Sequence, residues 1–340
     1  FSGSETGRCP ARCNSFSFIV IACPEEGDPK NFIPTLMKIL VGGSVAIDNV
    51  KTPVADETNL LGGSASYASL AAAKLASPVH LLGIIGNDFP QEHLEMLSEQ
   101  GVDLSGLERS EQASFTWTGE YHENMNERTT HNVAINVLEH WQVSVPAELA
   151  DAPFVVLANM APINQLQMLE QCNAQEKFVV ADTMDLWITV ANEELHDVLK
   201  RIDLLVINES EAREFANTNN LVLAGERLLE KGPRYVVVKL GEFGAKLFGP
   251  DGAFFSCGAW PLRNLADPTG AGDTFLGGLI GTLAAEGAVT PTFDQLKTAV
   301  VNGSILASFT CEDFSTKSLE SARKTDFFER IDQFQQISAW

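Results

Sequence analysis

The sequence predicts an α/β fold, with a central, mostly parallel sheet lying between helices. Six short apolar runs carry that expectation: KILVGG (38–43), VHLLGIIG (79–86), PFVVLAN (153–159), KFVVADT (177–183), RIDLLVIN (201–208) and RYVVVKL (234–240), with helix-patterned segments between them. Runs that are apolar at nearly every position belong to strands covered on both faces. One region follows a different rule. Phe115, Trp117 and Tyr121 alternate with Thr116, Thr118, Glu120 and His122, and Val133, Ile135 and Val137 alternate with Asn132, Ala134 and Asn136. Period two on either side of the polar stretch HENMNERTTH predicts an antiparallel hairpin with one apolar face.

Length and composition bound the function. The chain has 340 residues, 45% of them hydrophobic, and a formal net charge of -22. That charge excludes a nucleic-acid surface, which needs clustered Lys and Arg, and disfavours acidic membranes. It leaves room for ATP, provided backbone N–H groups and Mg²⁺ neutralise the phosphates. Of six cysteines, Cys9, Cys13 and Cys23 lie near the start, and Cys172, Cys257 and Cys311 are scattered. With no C-x-x-C pair, the scattered three read as buried thiols rather than metal ligands.

Residues 1–36 differ in character from the rest of the chain. Phe16–Cys23 is a short apolar run after Arg8 and Arg12, in the form of a crude secretory signal but too short to span a bilayer. A second reading fits better. In that reading Met37 is expected to be the functional initiator, residues 1–36 an upstream or disordered extension, and the domain to run from 37 to 340.

Taken in order, KILVGGSVA reads as the first strand, with Asp48 at its carboxyl end, where ligands gather in open α/β sheets. Leu61-Gly62-Gly63-Ser64-Ala65-Ser66-Tyr67-Ala68 is a glycine turn entering an Ala-rich helix. PQEHLEMLSEQ is a helix ended by Gly101. Asp182 and Asn208 stand at strand ends, on the ligand side. Asn208 with Glu211 makes a helix-capping arrangement. FFERIDQFQQI reads as an amphipathic closing helix.

Asp267-Pro268-Thr269-Gly270-Ala271-Gly272-Asp273-Thr274-Phe275 is the most informative stretch. Asp-Pro-Thr makes a turn. The small residues after it leave N–H groups accessible at the start of an apolar helix, which is an anion site. A carboxylate at its mouth, Asp273, suits a general base beside a transferring phosphoryl group.

The run D-P-T-G-A-G-D-T-F-L-G-G-L-I resembles the second signature of the PfkB (ribokinase-like) carbohydrate kinases. The resemblance extends in order over roughly 37–320, and it implies a three-layer ribokinase-like fold with a small β-lid from about 49–61 and 113–138. It implies Asp273 as catalytic base and Gly270, Ala271 and Gly272 as the anion hole. Pro268 stands where the family often has Thr, which removes a donor. Gly62 and Gly63 belong to the family's first motif, in which backbone approaches the sugar; Tyr67 replaces the usual Asn. Gly86-Asn87-Asp88 matches a further family segment. Asp48, Trp117 and Arg128, with Asn126 near the lid tip, fall on the substrate side. Asn208 and Glu211 match the N-x-x-E motif that orders Mg²⁺ and the ATP phosphates, Glu211 through water. Lys239, Gly241 and Thr269 meet the phosphates, and Asn302, Gly303 and Ser304 border the adenine. Cys311–Ser315 falls where relatives hold a monovalent cation such as K⁺, near Asp267 and Thr269.

The implied protein is a cytoplasmic, ATP- and Mg²⁺-dependent kinase of a sugar or sugar-like CH₂OH, with a homodimer through the lid as one expectation. A nucleoside kinase is the alternative within the enzyme class, and a catalytically silent small-molecule-binding protein the alternative outside it. No G-x-x-x-x-G-K-[ST], H-R-D or G-x-S-x-G occurs, so P-loop, protein-kinase and serine-hydrolase machinery is missing.

Overall fold

Gly42 and Gly43 end the first strand earlier than its apolar run suggests. The computed structural model describes residues 37–339, so the expectations for residues 1–36 lie outside the described residues. Strand β1 is only Ile39–Gly42, and the chain then re-enters strand structure as β2 (Ala46–Lys51) and β3 (Asp56–Gly62). A side chain at Gly43 would collide with Ser64 and Ala158, so the backbone turns there against its neighbours. Asp48 therefore sits within β2, in a second sheet, and not at the carboxyl end of β1.

The chain continues through α1 (Ser64–Ala73), β4 (Val79–Gly86), α2 (Gln91–Glu99) and β5 (Val102–Ser110), then the hairpin β6 (Phe115–Tyr121) and β7 (Arg128–Ala134). Next come β8 (Phe154–Leu157), α3 (Pro162–Gln171), β9 (Phe178–Asp182), α4 (Asp185–Val190), α5 (Asn192–Leu199), β10 (Leu204–Asn208), α6 (Glu209–Phe215) and α7 (Leu221–Leu229). The last elements are β11 (Tyr235–Lys239), β12 (Ala245–Phe248), β13 (Phe254–Cys257), α8 (Ala271–Ala285), α9 (Phe293–Thr310), α10 (Lys317–Ser321) and α11 (Lys324–Ser338).

Nine strands form the main sheet in the order β13-β12-β11-β10-β9-β8-β1-β4-β5. All neighbours run parallel except β11–β12 and β12–β13. Alternate residues of each strand feed two cores. Ile39, Val41, Val156, Val180, Val206 and Val237 pack with α1, α8 and α9 on one face. Leu40, Val155, Val179, Leu205 and Val236 pack with α3, α5 and α7 on the other. This is a three-layer α/β architecture, and the continuous apolar runs follow from burial on both faces. Among the described residues no helix is long and apolar enough to cross a membrane.

The smaller sheet has the order β3-β2-β6-β7. Its β6–β7 pair is antiparallel, as the period-two pattern predicts, but β7 stops at Ala134. Asn136 takes a left-handed backbone (φ 47°), so Ile135 and Val137 fall beyond the strand. Val137 turns into the second core beside Trp141.

Candidate active site

The N-terminus of α8 and the carboxyl ends of β9, β10 and β11 converge on one group of charges. Gly270 caps α8 in the left-handed region (φ 76°), a conformation that favours glycine. A side chain there would also strike the Tyr67 ring. The Ala271 N–H donates to the Pro268 carbonyl (3.2 Å) and closes the turn. Among the described residues the N–H groups of Gly270 and Gly272 find no acceptor, which leaves donors at the positive end of a 15-residue helix. The free donors at this helix end are therefore those of Gly270 and Gly272, with the Ala271 N–H committed to the turn.

Asp273 lies on that first turn and is half-buried. Burial, and then the nearby Asp182 carboxylate, raise its pKa to about 7, against the opposing pull of Lys239 and Arg128. Lys239, at the end of β11, is not a surface lysine. Its ammonium donates to Asp182 Oδ2 at 3.1 Å and lies 2.9 Å from where a Gly272 Cβ would stand. Glycine at 272 is what lets the lysine reach the helix end. Asp182 closes β9 and is buried.

Asn208 and Glu211 form a full capping box at the start of α6. Asn208 Oδ1 accepts the Glu211 N–H (2.9 Å), and Glu211 Oε2 accepts the Asn208 N–H (3.1 Å). Burial, then Asp182, raises the Glu211 carboxyl to about 7. Three carboxyl groups thus lie in the field of one ammonium, which contacts Asp182.

The other side of this region is built from the small sheet and the start of α1. Asp48 is buried, and burial, with Asp267 and Asp273 adding to it, raises its pKa to about 8. Its Oδ1 has no partner among the described residues. Gly62 faces the carboxylate so closely that any side chain there would overlap it. Gly63 (φ 90°) sets α1 against the Ser44 carbonyl, and so serves the turn. Tyr67 is fully buried between Gly270 and the carboxylates, and burial, then Asp267, raises its pKa well above the ordinary tyrosine value. Asp267 accepts the Thr269 N–H (2.8 Å) and the Ser315 N–H (3.3 Å), tying the α8 turn to the segment after α9.

One face of the small sheet covers this region. Asp48 pairs across with Trp117 and Val50 with Gly119. The Trp117 ring lies over Gly119, and its indole N–H donates to Thr130 (3.3 Å). Tyr121, Val50 and Leu60 pack with Phe314, and Thr269 donates to the Tyr121 hydroxyl at 3.4 Å. The other face carries Lys51 and His131, both paired with Glu120, and an Asn49–Thr118 hydrogen bond. The apolar face is therefore turned to the site and the opposite face is polar. Arg128, exposed on β7, is close enough to draw the Asp273 pKa down.

A cavity of about 480 Å³ adjoins the α8 turn, a size ordinary for a small-molecule site. Lys239, Gly241, Ala271 and Gly272 line it, as do Trp260, Ser304 and Ser308, with Asn124–Asn126 from the tip between β6 and β7. Asn302 is not among its walls. It is buried, and its amide donates to Thr282 on α8 (3.2 Å), because residues 304, 307, 308 and 311 form the face of α9 turned to the cavity. The sequence does not single out Tyr121, Trp260 or Ser308 as site residues, and in it Asp182 shows only as a strand-end residue. Tyr121 shares the period-two face of Trp117 and was within reach. Trp260 sits in an irregular segment with no periodicity to mark it.

Residues 39–323 match the family described as pfkB family carbohydrate kinase. A cytidine kinase from Thermococcus kodakarensis is 27% identical over 253 residues, covering 72% of this chain and 88% of that protein. A 5-dehydro-2-deoxygluconokinase from Photobacterium profundum is 25% identical over 297 residues, covering 80% of this chain and 87% of that protein. The crystal structure of a putative ribokinase II from E. coli in complex with ATP and Mg²⁺ has the same fold, with a TM-score of 0.70 at 17% identity over 88% of this chain and 100% of that one.

Proposed function

The chain belongs to the pfkB family of carbohydrate kinases, and on that footing we propose that it transfers the γ-phosphoryl group of ATP to a primary hydroxyl of a sugar or sugar-like molecule. The observation that carries this reading is Asp273, held on the first turn of α8 beside the unspent N–H groups of Gly270 and Gly272.

In the proposed reaction the acceptor hydroxyl gives its proton to the Asp273 carboxylate. Its oxygen forms a bond to the γ-phosphorus while the bond to the ADP oxygen breaks, and the bonding pair leaves with ADP. The Gly270 and Gly272 N–H groups and Lys239 face charge on the transferring group. Asp48, with an unpartnered buried oxygen, binds acceptor hydroxyls. Gly241, Thr269 and the lid tip border the nucleotide, and Arg128 on β7, whose charge lowers the Asp273 pKa, helps keep that carboxylate ionised. Asp182 and Glu211 crowd around a single ammonium, and such a pair fits Mg²⁺, which needs only one or two carboxylates beside phosphates and water. Mg²⁺ when bound would neutralise phosphate charge. The covering sheet excludes water, which limits ATP hydrolysis.

A nucleoside acceptor is the second reading. Trp117, the partly exposed member of the apolar face, stands across from Asp48, and a flat base would cover its ring more fully than a sugar would. The cytidine kinase relative supports it, as the 5-dehydro-2-deoxygluconokinase relative supports the first.

The test is ADP release with Mg²⁺, with and without K⁺ because of Asp267 and Thr269, against free sugars, sugar acids and nucleosides. Turnover with sugars or sugar acids supports the first reading, and turnover only with nucleosides supports the second. ATP binding without ADP release on any acceptor counts against both and favours a silent binding protein.

A further inference from the structure

The cavity beside α8 has one aromatic wall, and that wall is braced from behind. Trp260 lies in the irregular segment between β13 and α8, next to Pro261, and lines the cavity. Arg330 of α11 lies over the Trp260 ring, 5.2 Å from its centroid, and over the Phe309 ring at 3.6 Å. The guanidinium is fixed by Ser308 Oγ (2.8 Å) and by both oxygens of Glu312 (3.0 and 3.1 Å). It thus lies over two rings and is anchored to Ser308 on α9 and to Glu312 just past its end. Arg330 itself is not a wall of the cavity, so the cavity meets Trp260 on a surface the arginine leaves free.

We infer that Trp260 is the stacking platform for the nucleobase of ATP and that Arg330 is a positioning residue that holds it. This rests on the proposal that the cavity takes ATP. A tryptophan in an irregular segment ordinarily loses rotamer freedom when it clamps a ligand; a ring already pinned by Arg330 has lost it in advance, which favours binding. Stacking on an indole face needs no hydrogen-bond donor. Beside Trp260 the Ser308 hydroxyl is already spent: it donates to the Ile305 carbonyl (2.6 Å) and accepts from Arg330. Burial pushes the Cys311 thiol up to about 12, so it stays neutral. The remaining neighbours include Leu262, Leu265 and Ala307, which are apolar. The C-terminal helix α11, remote from the α8 turn in sequence, thereby sets nucleotide affinity through one side chain.

The experiment is equilibrium titration of full-length protein with ATP by calorimetry, for wild type, Trp260→Leu, Trp260→Phe, Arg330→Met and the Trp260→Leu/Arg330→Met double variant. Trp260→Leu is expected to weaken ATP about 10-fold or more, the scale of one base–aromatic stack. Trp260→Phe, which keeps a ring, should stay within about threefold on the same reasoning. Arg330→Met should weaken ATP in the wild-type background and add little to Trp260→Leu, because the two act as one unit. Leucine and phenylalanine variants that bind alike overturn the stacking role, as does fully additive behaviour of the pair for Arg330. Wild-type protein that fails to bind ATP overturns the nucleotide reading itself, a different result from wild type that binds ATP and a leucine variant that binds it equally well.

Discussion

Asp48, Asp273 and Glu211 are raised from ordinary values of 3.8, 3.8 and 4.5 to about 8, 7 and 7, in each case chiefly by burial. A carboxyl group raised on folding contributes its stability in full below its unfolded pKa and loses it as pH rises through its folded pKa. The fold should therefore lose stability between pH 5 and pH 8 in the absence of ligands. Asp48→Asn keeps the shape and removes the titration, so its unfolding midpoint should exceed that of wild type by a margin that grows over the same interval, while acceptor binding weakens. An equal or lower midpoint at pH 8 would refute this account of Asp48. Catalysis has the opposite sign, because a base works when ionised: kcat/KM should rise with pH through about 7. Lys239 holds the Asp273 pKa down, so Lys239→Met should move that limb to higher pH and weaken ATP binding. A wild-type limb below pH 5 would remove Asp273 as the titrating base. Asp273 and its glycines were legible because they are contiguous. The role of Asp182 was not, because its partners Lys239, Glu211 and Asp273 come from three other elements and only the sheet brings them together.

Helix α8 reaches the site because its glycines admit α1. A side chain on Gly277 would overlap the Ala68 carbonyl, and one on Gly281 would lie 3.0 Å from the Ala72 Cα and carbonyl oxygen. The two helices pack backbone to backbone, which puts Tyr67 of α1 against Gly270 at the cap of α8. Gly277→Val should therefore destabilise the protein by about 1–3 kcal/mol, as overpacking does, read as a lower urea midpoint; an unchanged midpoint would show that the helices part freely. Six of the nine strands of the main sheet were readable from apolar runs alone; β5, β12 and β13, which are only partly apolar or short, were not. The division between β1 and β2 was not, since KILVGGSVA stays apolar through the turn and only the close packing at Gly43 breaks it. The early end of β7 has a similar cause: a left-handed Asn136 interrupts a pattern that would otherwise continue.

On the scale of the molecule, one hairpin serves both halves of the site. Its strands carry Trp117, Tyr121 and Arg128 toward Asp48 and Asp273, and its tip, Asn124–Asn126, borders the cavity assigned to the nucleotide. The hairpin itself showed in the sequence as a change of period. What its tip lies beside did not, because the lining of one cavity by residues 126 and 241 leaves no local trace. The order of the motifs along the chain conveyed the fold and the α8 turn; the charge cluster, the orientation of the lid and the braced Trp260 needed the tertiary arrangement. The central claim is that Asp273 deprotonates an acceptor hydroxyl in an ATP-dependent transfer. Its most direct test is acceptor-dependent ADP formation by wild type and Asp273→Asn at saturating ATP and Mg²⁺. The account predicts that the variant still binds ATP and that kcat falls by ~10²–10⁴, the usual scale for loss of a general base. A variant within about threefold of wild type, far short of that scale, would contradict it.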